Sequence, residues 1–226
     1  MRLRLQLALL LLALPAAHAQ VVDRMAAVVN KHVILASELE QAARVECLMQ
    51  GKPLEKLTPE DIASVLDRLI DRSLLDQQIV KGTDVDAATE EVEAQLKAVR
   101  AQVPNAATDA GWKQVLATYG LTQNDVEDYL ASQLRILRFV DLRFRGLVRV
   151  DKNAITSYYE QKFLPELRKR GASEPALSEV SDKIEKVLVE QSIDEMLNHW
   201  LETLRSQAHI EKISPPGPDA ASGVRP

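Results

Sequence analysis

The chain has 226 residues, 46% hydrophobic and 27% charged, an ordinary globular balance with room for one moderate domain or two small ones. Its formal charge of −5 argues against nucleic acid as a partner, and a single cysteine, Cys47, excludes an internal disulfide and any cysteine-based metal site. Aromatics make up 4% and glycines number 8, so the core must rest on Leu, Val, Ile and Ala, and neither an all-β fold nor a glycine-loop nucleotide fold fits.

Residues 1–19 read as a secretory signal peptide. Arg2 and Arg4 form a basic start, Leu5 to Leu14 is apolar, and Ala17-His18-Ala19 is a small-x-small site predicting cleavage between Ala19 and Gln20. The apolar run is too short to span a membrane, so no stable membrane insertion is expected. The residue after the cut is Gln20 and Cys47 lies far downstream, so no lipid attachment point is expected there.

Met25–Val29 and Val33–Leu35 read as two short strands joined by a turn at Asn30-Lys31. Lys tolerates a positive φ poorly, so register is weakly specified there. Ser37-x-x-Glu40 has the form of a capping box, predicting a helix from Ser37 to about Gln50-Gly51 with Cys47 as a buried small apolar residue. Thr58-Pro59-Glu60 starts a second helix. Its stripe is Ile62, Val65, Leu66, Leu69 and Ile70, extended by Leu74 and Leu75, with Gly82 placed to close it.

Further helices follow. One begins at Asp86 or Thr89 and carries Val92, Leu96 and Val99. A short one holds Trp112, Val115, Leu116 and Tyr119, ending at Gly120. One capped by Thr122 runs through Val126, Leu130, Leu137 and Val140, and one capped by Asp151 holds Ile155 and Tyr158. Phe163 to Pro175 is expected to be irregular, broken by Pro165 and Gly171. Ser178 can start a last long helix through Ile184, Ile193 and Trp200 to about Gln207. "HIEKI", His209 to Ile213, alternates as a strand, and residues 214–226 have the composition of a disordered tail.

No catalytic motif is visible: there is no H-E-x-x-H, C-x-x-C, G-x-S-x-G or P-loop. No cofactor is implied. "RILRFVDLRFRGLVR", Arg135 to Arg149, mixes basic and apolar residues. It reads as a buried stripe with arginines at its rim; a membrane-touching amphipathic surface is the alternative.

The order of these segments carries a resemblance. "AAVVNKHVILASELE", "LDRLIDRSLLDQQIVKG", "VDAATEEVEAQL" and the stretch from Tyr119 to Gln161 resemble the N-terminal region of the SurA-type periplasmic chaperones and their parvulin-linked relatives. "EMLNHWLETLRSQAHIEKI" is similar to the closing helix and strand of the same family. That resemblance implies a mainly α fold: an irregular multi-helix chaperone core, residues 20–213, with a small antiparallel sheet built from the N-terminal hairpin and a C-terminal strand. "HIEKI" is expected to pair with Met25–Val29 or Val33–Leu35, since independent stability takes about three strands.

Family members usually carry parvulin domains between the two parts. Here fewer than about twenty residues separate Tyr159 from Ser178, against about 50 or more for a folded domain. The resemblance therefore implies peptide binding without catalysis: an ATP-independent chaperone for unfolded exported proteins, outer-membrane precursors above all. A prolyl isomerase with a missing or degenerate site is the alternative. Met49, Trp112, Tyr119 and Tyr129 are the candidate groove residues, as adaptable apolar contacts, with ordinary core packing the competing reading. Oligomeric state is not legible.

Overall fold

The computed structural model describes residues 23–80 and 83–213. The expected signal peptide with its cleavage site at Ala19 and Gln20, the expected closure at Gly82 and the residues from 214 on lie outside them. The described part is mainly helical with one three-stranded antiparallel sheet.

β1 (Met25–Val29) and β2 (His32–Leu35) form the hairpin, with Val28 opposite Val33 and an irregularity at Ala26. Asn30 alone takes the left-handed conformation at the turn, φ 59°, so Lys31 escapes the strain that the sequence suggested. Asn30 also anchors the far end of the chain. Its N–H donates to the His209 carbonyl at 2.7 Å, and its Oδ1 accepts from the His209 N–H at 2.9 Å. β3 (Ile210–Lys212) then pairs with β1 rather than β2: Val29 faces Ile210 and Ala27 faces Lys212. β1 is thus central, which suits its fully buried Ala27 and Val29.

α1 (Ala36–Gln50) follows β2 without a loop. Ser37 is not its cap, contrary to the capping-box reading. Asp23, fourteen residues upstream, does that work: it accepts from the Ser37 N–H at 3.3 Å and from the Ser37 hydroxyl. Glu40 turns instead to Arg44, one helical turn on. Gly51, at φ 63°, closes the helix in the left-handed conformation that glycine adopts without penalty.

α2 (Pro59–Asp76) starts as its sequence indicates. Thr58 Oγ1 accepts from the Asp61 N–H at 3.2 Å, and Asp61 accepts from the Thr58 N–H at 2.8 Å. α3 (Thr89–Gln102), α4 (Asp109–Tyr119) and α5 (Gln123–Phe144) follow, with Thr108 and Thr122 capping the last two.

α6 (Lys152–Tyr158) passes through a π-turn at Tyr159–Phe163 into α7 (Leu164–Lys169). The expected irregular stretch is therefore helical up to Lys169. The wide turn lets the Leu164 N–H reach Tyr159, and Pro165 falls in the first turn of α7, where its missing N–H costs little. α8 (Leu177–Gln207) begins one residue before Ser178, which does not cap it.

The core is not a single bundle. Ala27, Val29, Ile34, Leu69, Ile70 and Leu74 form one cluster between the sheet, α1 and α2. Val45, Leu48, Trp112, Leu116, Val126 and Leu130 form a second across α1, α4 and α5. Val140, Phe144 and Ile193 make a third, and Ile155, Val180 and Ile184 a fourth. α8, about 46 Å long at 1.5 Å per residue, touches the fourth, the third and, through Leu204, the first. Its end is fixed by Arg205, which pairs with Asp71 of α2 at 2.6 Å.

Candidate peptide-binding cleft

A cleft of about 840 Å³ opens where β1 begins and β3 ends. Its floor is apolar: Leu39 of α1, Ile62, Ala63 and Leu66 of α2, Met25 of β1 and Ile213. Asp23, Arg24 and Lys212 stand around it. The floor arises because the stripe of α2 is wider than the core needs. Val65, Leu69 and Ile70 are buried, whereas Ile62 and Leu66, one turn apart, are only partly covered. Met25, half exposed, and its cross-strand neighbour Leu35 continue the apolar surface onto the outer face of the sheet.

The charges around the cleft are held in place. Lys212 reaches Asp67 of α2 at 2.7 Å. The Ser37 hydroxyl beside Asp23 holds its carboxyl below the usual carboxylate range. Outside the lining of the cleft, Asp61 near the start of α2 is held down to about 2, first by the Lys52 ammonium and then by the Thr58 amide and hydroxyl.

A second, smaller cavity of about 290 Å³ lies between α1, α2 and α5 and is polar. Arg135 of α5 meets Asp76 of α2 at 2.8 Å, and burial pushes the Asp76 carboxyl up. Tyr129 sits here beneath Arg72, 5.1 Å from its ring. Its hydroxyl donates to Glu46 at 3.3 Å and accepts from Gln133 at 3.1 Å, and burial raises its pKa. That ring is committed to internal bonds.

None of the four groove candidates lines the apolar cleft. Trp112 is 2% exposed and packs in the second cluster. Tyr119 packs partly buried against the same cluster. Met49 is exposed, near the end of α1 and away from the sheet. Of the floor residues, Ile62 and Leu66 carry the spacing of the buried stripe of α2, and the fold leaves both only partly covered.

The basic stretch is divided: part of its apolar set is buried, whereas Leu137, Leu142 and Leu147 stay exposed. Phe139, Val140 and Phe144 are buried. Arg138 pairs with Glu91, and Arg145 pairs with Asp141 and with Glu190 at 2.7 Å. Arg143 stacks 3.9 Å over the Trp200 ring. Cys47 is buried, which pushes its thiol up. Among the described residues no group of His, Cys, Asp or Glu forms a candidate metal site, and no helix is long and apolar enough to cross a membrane.

A family model for the SurA-like N-terminal domain matches residues 5–140. The match covers more than half of the chain, which therefore belongs to that family, one of the periplasmic chaperone type. No match is found among curated proteins. No parvulin domain is found in the described residues. The match stops inside α5, so α6, α7, α8 and β3 lie beyond it.

Proposed function

We propose that the chain is an ATP-independent periplasmic chaperone, delivered by a signal peptide cleaved after Ala19, that holds unfolded exported polypeptides in the apolar cleft. Precursors of outer-membrane β-barrels, rich in alternating apolar strands, are the client class that fits. The observation that carries the reading is the cleft: an open, apolar floor beside an edge strand, in a chain of a chaperone-type family. Exposed contiguous apolar surface rimmed by charge marks an interaction site.

Each client side chain seated on such a floor gains about 1.5–3 kcal/mol, and ordering each client residue costs about 1–2 kcal/mol. The balance gives weak, reversible binding, which suits release without a nucleotide. On this reading the chain performs no chemistry.

The test is suppression of aggregation of several unfolded clients at near-stoichiometric chaperone, with Leu66→Asp as the disabled variant. Wild type suppresses, and Leu66→Asp does not while keeping its helical circular dichroism. No suppression by wild type, or full suppression by Leu66→Asp, rejects the cleft. A proline-isomerisation assay on a short peptide should give the background rate.

A further inference from the structure

We propose that the open edge of β3 takes the client as an added strand, so that the cleft selects extended polypeptides whose side chains alternate apolar and polar. This rests on the cleft being the client site.

The ladder fixes the argument. The Asn30 N–H donates to the His209 carbonyl, and the Ile213 N–H donates to the Ala26 carbonyl at 2.9 Å. Main-chain polar groups alternate sides along a strand, so those of residues 209, 211 and 213 serve β1 and those of Ile210 and Lys212 point away. Among the described residues nothing hydrogen-bonds the main chain of Ile210 or Lys212 on that side.

The same parity directs the client's side chains. Ile210 and Lys212 stand opposite the fully buried Val29 and Ala27, and Lys212 reaches Asp67 of α2. A strand added beside them extends this row over α2, whose Ile62, Ala63 and Leu66 floor the cleft. Its other side chains face solvent beside the exposed Glu211, where a basic residue is favoured. Main-chain bonds supply sequence tolerance and the cleft selects alternate apolar side chains.

A second copy of this chain is the poorer occupant. The antiparallel register that uses both outward residues sets Glu211 directly opposite Glu211, a like-charge pair that disfavours edge-to-edge pairing.

Lys212→Pro in the full chain deletes one outward N–H and leaves the ladder to β1 intact, because the Lys212 N–H does not serve β1. Lys212→Ala controls for the lost pair with Asp67. The ligand is a labelled twelve-residue peptide alternating Val with Ser or Lys. Lys212→Pro should bind it about fivefold more weakly than Lys212→Ala. Equal binding overturns the added strand, while Leu66→Asp still judges the cleft separately.

Two N-methylated forms of the peptide, blocked on one or the other set of alternate residues, test the same point on wild-type protein. One form should keep its affinity and the other lose it. Equal affinities overturn the proposal, and failure of the unmodified peptide to bind wild type removes the cleft and the added strand together.

Discussion

Two neighbouring proline substitutions in β3 should have very different costs. The Glu211 N–H faces β1, opposite Val28, whereas the Lys212 N–H faces away. Glu211→Pro deletes a ladder bond and strands the Val28 carbonyl in a partly buried position, a combined loss of about 2–3 kcal/mol. For a domain of this size each kcal/mol moves the thermal midpoint by about 2–4 °C, so the expected fall is about 4–12 °C. Lys212→Pro loses no ladder bond, and its broken pair with the half-exposed Asp67 is worth at most about 1 kcal/mol. Thermal unfolding followed by far-ultraviolet circular dichroism measures both. Equal shifts, or a larger shift for Lys212→Pro, would refute the register and the edge assignment built on it.

Other substitutions probe the rest of the architecture. A chain cut after Gln207 loses all of β3 and should melt below Glu211→Pro, whereas a chain cut after Ser214 should melt with the full chain. Trp112→Ala should cost about 3–5 kcal/mol of stability by denaturant titration, because that side chain fills the second cluster. Asp61 has a folded pKa of about 2, below its ordinary 3.8, so the stability it contributes is present above 3.8 and is lost as pH falls towards 2. Asp61→Asn should flatten the acid limb of the stability curve in that window.

The sequence was most legible where a local rule decides the structure. Thr58-Pro59, Thr122 and Asp151 start helices because a short polar side chain can satisfy an amide three residues on. Alternation in "HIEKI" shows a strand because its period differs from that of the helix before it. The failures are non-local. Ser37 has the spacing of a cap, yet it meets an acid from before the hairpin, and only the fold brings Asp23 there. Pro165 reads as a breaker unless a π-turn has already shifted the ladder. The cleft was hidden for the same reason: Ile62 and Leu66 have the periodicity of Val65 and Leu69, and their exposure depends on how far α1 and the sheet reach across α2.

Asp23 ties the start of the fold to the cleft, and its titration should be visible in both. Its carboxylate caps α1 through Ser37 and stands beside the apolar floor. The Ser37 hydroxyl lowers its pKa from 3.8, so its contribution to stability is complete above 3.8 and disappears as pH drops through the lower folded value. Protonation weakens acceptance from Ser37, and the first turn of α1, which carries Leu39 into the cleft, loses its cap. Asp23→Ala should therefore speed hydrogen exchange at the Ser37, Glu38 and Leu39 amides at neutral pH and weaken peptide binding. It should leave exchange in α8 unchanged, because the fault is local. Unchanged exchange at Leu39 would mean that β2 and the bond from the Ala36 N–H to the Arg24 carbonyl hold the start of α1 without the acid.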